Sequence, residues 1–231
     1  MANKQEKIAE EAILNSESFF YKNKKAILIA LGAIIILIAG FICYRTLILA
    51  PREDKASTAM AKGQEYFDSE MFDKALNGDG AGYNGFLKIA DDYSGTKAAN
   101  LANLYAGLCY ANLGNWKDAE KYLENYSSCS DAMVTPMAMA ALGDAYAHNN
   151  ELDKAVDQFK KAASTADKRA EDGTNNSISP TCLIKAGEIL ESQGNEADAL
   201  KLYQEVKDKY VNSPVVQSTE IDKYIERAQD K

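Results

Sequence analysis

Histidine, tryptophan, proline and cysteine are all scarce in this chain of 231 residues, which has one His, one Trp, four Pro and four Cys. A single His argues against a metal site or a catalytic triad built on histidine. The few prolines and the lack of alternating Val/Thr-rich runs argue against a β-sandwich or barrel and favour an all-α fold. Apolar residues make up 46% of the chain, enough for a real core, so general disorder is not expected.

Charge is unevenly distributed along the chain. The whole sequence has 26 basic and 34 acidic residues and a formal charge of −8. An acidic protein is a poor ligand for nucleic acid, because phosphate binding needs clustered Lys and Arg. Residues 1–50 contain six basic and four acidic residues, whereas the remainder contains 20 and 30. The two parts therefore suit different environments.

A membrane-spanning segment is predicted near the N-terminus. Nineteen uncharged residues, AILIALGAIIILIAGFICY, lie between Lys25 and Arg45. A helix over residues 26–50 spans about 37 Å at 1.5 Å per residue, enough to cross a hydrocarbon core of about 30 Å. A cleaved signal peptide is the rival interpretation, but this apolar run is too long and is not followed by a small-x-small cleavage site.

The charges that flank this segment predict its orientation. Lysines at positions 22, 24 and 25 favour a cytoplasmic N-terminus under the positive-inside rule. Residues 1–25 then form a short cytoplasmic tail, for which a mobile segment is preferred over an amphipathic helix because its apolar residues are sparse. Residues 51–231 form an acidic domain outside the cytoplasm, and in a bacterium that domain lies in the periplasm at the inner membrane.

Three segments of this domain share one pattern of residues. The segment around Gly143 places Leu, Gly, Tyr, Ala, Phe and Ala at the spacing of the tetratricopeptide repeat (TPR) consensus, and the segments around Gly107 and Gly187 repeat most of it. A Gly in the first helix of each pair lets the second helix approach closely, and a small Ala in the second helix has the same effect. The matching residues are Leu142, Gly143, Tyr146, Ala155, Phe159 and Ala162; Gly107, Tyr110, Ala119 and Leu123; and Gly187, Leu190, Ala199 and Tyr203.

A degenerate copy of the repeat precedes these three. Gly63 and Ala75 keep the spacing, and then the glycine-rich segment 77–85 intervenes. Removing seven residues returns Phe86 to register, so the insertion is expected to break the second helix of this copy. A second insertion, at residues 169–180, is expected to be a flexible loop.

These observations predict a TPR α-solenoid of about four helix pairs with a C-terminal capping helix, preceded by a single transmembrane helix. The cap shields the open face of the last repeat. Its apolar face is expected at Val216, Ile221, Tyr224, Ile225 and Ala228. The predicted units cover about residues 54–96, 97–134, 135–179 and 180–213, and the cap covers 214–231.

The candidate functional site is a protein-binding groove on the first helices of the pairs. Its central part is expected to be apolar and its far end charged, which suits an amphipathic helix or an extended hydrophobic segment. An equally open alternative is that a terminal helix of the chain covers part of the groove. The predicted groove residues are Leu101, Leu104, Tyr105, Leu108, Asn112, Met137, Ala140, Asp144, Ile184 and Lys185.

Catalytic and cofactor sites are not predicted. Cys109 and Cys182 fall within first helices, where a free Cys behaves as a small buried apolar residue. Cys129 lies in a loop, and a disulfide between Cys129 and Cys182 is disfavoured because they belong to non-adjacent repeats. His148 falls at a helix–helix turn, where a surface or capping role is expected. The sequence therefore predicts a non-enzymatic protein without metal or cofactor.

The order of these features resembles the bacterial YfgM-type proteins, which are ancillary subunits of the SecYEG translocon. The resemblance rests on the short basic tail, the single membrane helix and the acidic TPR domain. It implies an adaptor that associates with the SecYEG translocon, with a periplasmic foldase or chaperone, and with translocating clients. Two other classes stay open: a cell-envelope scaffold similar to the Tol-Pal coordinator, and a holdase chaperone.

Overall fold

The computed structural model describes the backbone of residues 2–230 and the side chains of residues 22–230, and this part of the chain contains helices and no strand. The all-α prediction is therefore confirmed. Two compact units are present, Met1–Arg52 and Glu53–Lys231, named here the N-terminal unit and the repeat unit. The elements are α1 (Ala2–Tyr44), a π-helical segment (Arg45–Leu49), α2 (Ala50–Asp68), α3 (Phe72–Asn77), α4 (Phe86–Asp92), α5 (Lys97–Asn112), α6 (Trp116–Glu124), α7 (Val134–His148), α8 (Leu152–Arg169), α9 (Ser179–Ser192), α10 (Glu196–Lys209), α11 (Pro214–Gln217) and α12 (Glu220–Gln229).

Helix α1 accounts for most of the N-terminal unit. It begins at Ala2, so the expectation of a tail without regular structure over residues 1–25 is wrong. Ala, Leu and Ile dominate its second half, and no proline occurs before Pro51, which favours an uninterrupted helix. The large apolar side chains from Leu28 to Ile48 are exposed. By length and composition, this helical stretch is long and apolar enough to cross a membrane.

Three helix pairs of the repeat unit pack through the same contact. In each pair, the glycine of the first helix touches a large side chain of the second helix, and the two contacting positions are equally far apart in sequence in all three pairs. A Cβ atom added to Gly143, for example, would lie 2.9 Å from Cε1 of Phe159. The predicted repeat pattern therefore reflects a packing contact. The contacting residues are Gly107 and Leu123 in α5/α6, Gly143 and Phe159 in α7/α8, and Gly187 and Tyr203 in α9/α10.

The glycine-rich insertion breaks the second helix of the first repeat, as predicted. Helix α3 ends at Asn77 and α4 begins at Phe86. Asp79 shapes the connection, because its Oδ1 accepts hydrogen bonds from the backbone N–H groups of Ala81 (2.8 Å) and Tyr83 (3.0 Å). Glycines with positive φ allow the chain to turn around it.

The loop between α8 and α9 is held by the buried carboxylate of Asp167, contrary to the expectation of a flexible loop. Oδ1 of Asp167 accepts hydrogen bonds from Oγ of Ser179 (2.6 Å) and from the backbone N–H of Asn175 (2.9 Å). Oδ2 accepts from Nζ of Lys209 (2.6 Å) and from the hydroxyl of Tyr210 (2.7 Å). Burial acts to raise the pKa of Asp167, but these hydrogen bonds outweigh it and hold that pKa below its usual value.

The C-terminal cap consists of two helices where one was expected. The chain breaks between α11 and α12 at Thr219, which has a φ of 59°. Ile221 and Ala228 are buried against the preceding repeat. Val216, Tyr224 and Ile225 are partly buried against the same cluster, so the predicted apolar face of the cap is confirmed.

The core of the repeat unit is a chain of three apolar clusters. The first joins α2, α3, α4 and α5, the second joins α5, α6 and α7, and the third joins α8, α9, α10 and α12. Each cluster therefore combines residues from neighbouring helices along the stack, as expected for a solenoid.

Candidate protein-interaction surface

The predicted groove residues lie on the first helices α5, α7 and α9, whose outer surface is named here the first-helix face. Helix α5 is fixed at its start by two caps. The hydroxyl of Thr96 accepts a hydrogen bond from the N–H of Ala99 (3.0 Å). The carboxylate of Glu53 accepts from the N–H groups of Lys97 (2.6 Å) and Ala98 (2.8 Å), which also suits the positive end of the helix dipole.

Much of the apolar part predicted for the groove is buried inside the stack. Leu104 is 6% exposed and packs in the cluster around α6, and Ile184 is 9% exposed in the C-terminal cluster. Tyr105 is half-buried and stacks on Phe86 with ring centroids 5.0 Å apart. These side chains hold neighbouring helices together, so their expected placement on an open groove is corrected.

The other predicted groove residues retain exposed surface to different degrees. Leu101 and Leu108 are half-buried at the edge of the cluster between α5 and α7. Asn112 is exposed and its side chain donates to the carbonyl of Leu108 (2.8 Å). Ala140 is half-buried. Three further predicted residues reach the surface. Met137 lies in an apolar part of the first-helix face, and Asp144 and Lys185 lie in a charged part.

Three large apolar side chains are exposed together at the start of α7. Met133 is 48% exposed, Val134 is 42% exposed and Met137 is 57% exposed. They are named here the α7 apolar patch. Outside the N-terminal unit, the other exposed large hydrophobic residues among those described are scattered singly along the chain. Those residues are Met71, Leu113 and Val211.

A partly buried polar network holds the backbone at the start of the α7 apolar patch. The carboxylate of Asp131 accepts hydrogen bonds from the N–H groups of Met133 (3.1 Å) and Thr135 (2.9 Å) and from the Thr135 hydroxyl (2.7 Å). Arg169 of α8 donates to the Asp131 carbonyl (2.5 Å). Burial acts to raise the pKa of Asp131, but the hydrogen bonds to its carboxylate outweigh this effect, so its pKa lies below the usual value. The backbone on both sides of Val134 is therefore held by hydrogen bonds to Asp131.

Of the three residues of the α7 apolar patch, Met137 belongs to the predicted groove, whereas Met133 and Val134 do not. Helix α7 begins at Val134 and is preceded by Met133, whereas the predicted unit began at residue 135. The available signal was the apolar spacing of residues 133, 134 and 137, which brings all three to one side of a helix.

The charged part of the first-helix face is a salt bridge between α7 and α9. Nζ of Lys185 lies 2.7 and 2.8 Å from the two carboxylate oxygens of Asp144. The same ammonium lies 5.5 Å from the ring centroid of Phe159, a cation–π arrangement. A shallow cavity of about 390 Å³ is lined by both partners and by Glu188. This end of the face therefore carries charged side chains.

The single His and the buried cysteines are engaged in packing. The ring of His148 stacks on the ring of Trp116 with centroids 3.7 Å apart and a 3° angle between the planes. Cys109 and Cys182 are buried, and burial raises the pKa of each thiol to about 12, so both stay protonated. Cys129 is exposed and free, as is the thiol of Cys43.

Across residues 22–230, no group of three or more His, Cys, Asp or Glu side chains is arranged to hold a metal ion.

Comparison with known proteins agrees with this architecture. Residues 17–221 match the profile of the tetratricopeptide repeat-like domain. Two similar solved structures are of nearly identical TPR-like repeats attributed to a kinesin light chain of Podosopora anserina. One shares 12% identity and a TM-score of 0.59, covering 77% of this chain and 87% of that one. The other, a single-residue variant, shares 11% identity and a TM-score of 0.54, covering 77% and 94%.

At these identities the solved structures support the fold alone. No curated protein sequence matches the chain. The family profile spans most of the chain, and the glycine contacts of α5/α6, α7/α8 and α9/α10 supply its structural basis. The TPR fold is a scaffold for protein–protein interaction. This chain belongs to the tetratricopeptide repeat-like domain family.

Proposed function

We propose that this protein is a membrane-anchored TPR adaptor that binds a partner protein through the α7 apolar patch. The observation that carries the proposal is the joint exposure of Met133, Val134 and Met137 at the start of α7. Contiguous exposed apolar surface on a soluble domain marks an interaction site, because such surface is costly to leave in water. Methionine suits such a site, since its flexible side chain adapts to different apolar partners.

The proposed anchor is residues 26–50. Most of the large apolar side chains of this segment are exposed, and lipid tails would cover them. The lysines that precede the segment support a cytoplasmic N-terminus. The repeat unit then works at the extracytoplasmic face of a bacterial inner membrane, in the periplasm.

The proposed partners are the Sec translocon and the periplasmic foldases or chaperones that receive exported chains. Support comes from the order of features, a basic N-terminus, one apolar helix and an acidic TPR domain, which is similar to the YfgM-type proteins. Translocating clients expose apolar segments before they fold, and the α7 apolar patch is suited to such segments. The polar end at Asp144 and Lys185 supplies a second point of contact at which a partner can be oriented.

Site-specific crosslinking in membranes tests this proposal. A photo-crosslinking residue at position 137 is compared with one at position 117, an exposed lysine of α6 that lies outside the patch. The proposal predicts adducts with SecY and a periplasmic foldase from position 137 and few from position 117. Adducts with Pal or with peptidoglycan enzymes would instead identify an envelope scaffold, and adducts with many unfolded chains alone would identify a holdase. Equal labelling from both positions would show that the α7 apolar patch is not the binding site.

A further inference from the structure

A second groove lies between α8 and α10, away from the first-helix face. A cavity of about 600 Å³ is lined on one side by α8 and on the other by α10, with Leu183 of α9 between them. Lys160, Ser164 and Lys168 contribute from α8, where their spacing of four residues places them on one side of the helix. Leu202, Glu205 and Lys209 contribute from α10.

One end of the groove is closed by the contacts of Asp167. Its carboxylate accepts hydrogen bonds from Lys209 (2.6 Å) and Tyr210 (2.7 Å), which joins the C-terminal ends of the two walls. The Asp167 carboxylate is buried and hydrogen-bonded. Its charge is balanced by the ion pair with Lys209. The other charged side chains that line the groove are those of Lys160, Lys168 and Glu205, and Lys160 also interacts electrostatically with Asp198 of α10.

The charge of the groove is opposite to that of the chain around it. Residues 51–231 have 20 basic and 30 acidic residues. The α8 wall nevertheless presents two exposed lysines, Lys160 and Lys168, above a floor that includes the apolar side chains of Leu183 and Leu202. A free inorganic anion would make no use of the apolar floor. A peptide with both carboxylate and apolar side chains would use the floor and the lysines together.

The geometry points to an acidic peptide segment of a partner protein as the occupant of the groove between α8 and α10. The two lysines are separated by about 12 Å along α8, at 1.5 Å per residue. In an extended peptide, residues four apart are separated by about 13 Å and point to the same side, as does the residue midway between them. The groove therefore fits the pattern acidic–x–apolar–x–acidic, with the apolar side chain over Leu183 and Leu202. Glu205 on the opposite wall repels a peptide shifted toward α10.

Fluorescence anisotropy with the full chain in detergent micelles tests this site. The probe is a fluorescein-labelled peptide with the core Glu-Ser-Leu-Ser-Glu, measured at low ionic strength because screening weakens exposed charge pairs. We expect Lys160→Glu/Lys168→Glu to raise its dissociation constant at least tenfold. The matched control is Lys117→Glu/Lys223→Glu, which reverses two exposed lysines outside the cavity and should leave the dissociation constant within twofold.

A charge swap makes the test specific to this groove. The peptide Lys-Ser-Leu-Ser-Lys should bind the Lys160→Glu/Lys168→Glu chain more tightly than the unaltered chain. Glu205→Lys should strengthen binding of the acidic peptide, which gives a gain of affinity that misfolding cannot produce. The proposal is overturned if the acidic peptide does not bind, if the control reduces binding equally, or if these lysines govern binding to phosphatidylglycerol vesicles but not to the peptide. Met137→Glu should leave peptide affinity unchanged, so this site and the α7 apolar patch fail or succeed independently.

Discussion

Phe86 of α4 packs against Gly63 of α2. The sequence separation between these two residues is larger than the separation between the glycine and its contacting side chain in each of the three later repeats. A Cβ atom added to Gly63 would lie 2.5 Å from Cε1 of Phe86. The additional chain length belongs to the glycine-rich connection between α3 and α4. The first repeat therefore absorbs an insertion while it keeps the glycine contact found in the three later repeats.

Gly63→Ala tests this contact. The added methyl group would overlap the buried rings of Tyr83 and Phe86. Overpacking of this kind costs about 1–3 kcal/mol, while Ala favours a helix over Gly by about 1 kcal/mol. We expect a net loss of stability of up to about 2 kcal/mol in urea unfolding. The control Ser57→Ala, at an exposed position of the same helix, should change stability by less than about 0.5 kcal/mol. A stabilised Gly63→Ala variant would contradict the close contact.

Asp167 makes the stability of the repeat unit depend on pH. Its pKa in the folded protein lies below the ordinary value of about 3.9 that it takes when unfolded. The stabilisation is therefore present above pH about 4 and is lost as the pH falls through the folded pKa. We expect Asp167→Asn to be less stable than the unaltered chain by about 2–3 kcal/mol at pH 7, since Lys209, Ser179 and Tyr210 lose their charged acceptor.

Urea unfolding at pH 7 and pH 3 measures this effect. The stability difference between Asp167→Asn and the unaltered chain should narrow at pH 3, because the unfolded chain takes up a proton at Asp167 below pH about 4, whereas Asn is neutral at every pH. Asp157→Asn on the same helix is the matched control, because Asp157 is exposed, and it should show almost no difference at either pH. If the stability difference between Asp167→Asn and the unaltered chain is equally large at both pH values, the charge of Asp167 does not stabilise the fold.

Residues that contact each other within one repeat were predictable from the sequence. The glycine, the large side chain at a fixed position after it and the small Ala between them form a local code, so the pattern revealed the pairs α5/α6, α7/α8 and α9/α10. The insertion after Asn77 was also predictable, because glycine clusters interrupt helices and the register resumed at Phe86.

Contacts between repeats were not predictable in the same way. Helical spacing placed Leu104 on the first-helix face, but it is buried because its cluster includes the small residues Ala119, Ala138 and Ala145, which let the helices approach. The pair formed by Asp167 and Lys209 is separated by 42 residues and has no local signal. The start of α7 before Pro136 likewise depends on hydrogen bonds to Asp131, which the sequence alone does not reveal.

The capping helix is held by a buried carboxylate. Glu191 of α9 accepts hydrogen bonds from the hydroxyl of Tyr203 (2.7 Å) and from Nε of Arg227 in α12 (3.0 Å). Arg227→Ala should destabilise the repeat unit by about 2–3 kcal/mol, because it leaves a buried charge without its cation. Adding Glu191→Gln to that variant should recover part of the loss.

A double-mutant cycle with urea unfolding measures this coupling between Arg227 and Glu191. We expect the double variant to lose less stability than the sum of the two single-variant losses, by at least about 1 kcal/mol. If the losses of the two single variants simply add, then Arg227 does not hold the cap through Glu191.

The proposed membrane helix is tested by charges at its centre. Ile35→Lys/Ile38→Lys places two ammonium groups in the apolar segment, and each costs about 2.5–3.5 kcal/mol to insert. We expect this variant to be released from membranes by alkaline carbonate, while the unaltered chain and the apolar control Ile35→Leu/Ile38→Leu remain in the pellet. Release of the unaltered chain would exclude the proposed anchor.

The α7 apolar patch is tested most directly by measuring partner capture with Met133→Glu/Met137→Glu. Both side chains are about half exposed, so the variant should keep its helical circular dichroism and its unfolding midpoint. The matched control is Leu113→Glu/Val211→Glu, which makes the same change at two exposed apolar residues outside the patch. Membranes that contain each variant are solubilised, the chain is recovered, and the co-purified proteins are quantified against the unaltered chain. We expect Met133→Glu/Met137→Glu to capture at least tenfold less of the co-purified proteins than the unaltered chain and the control do. Equal capture by all three chains would rule out the α7 apolar patch as the binding site.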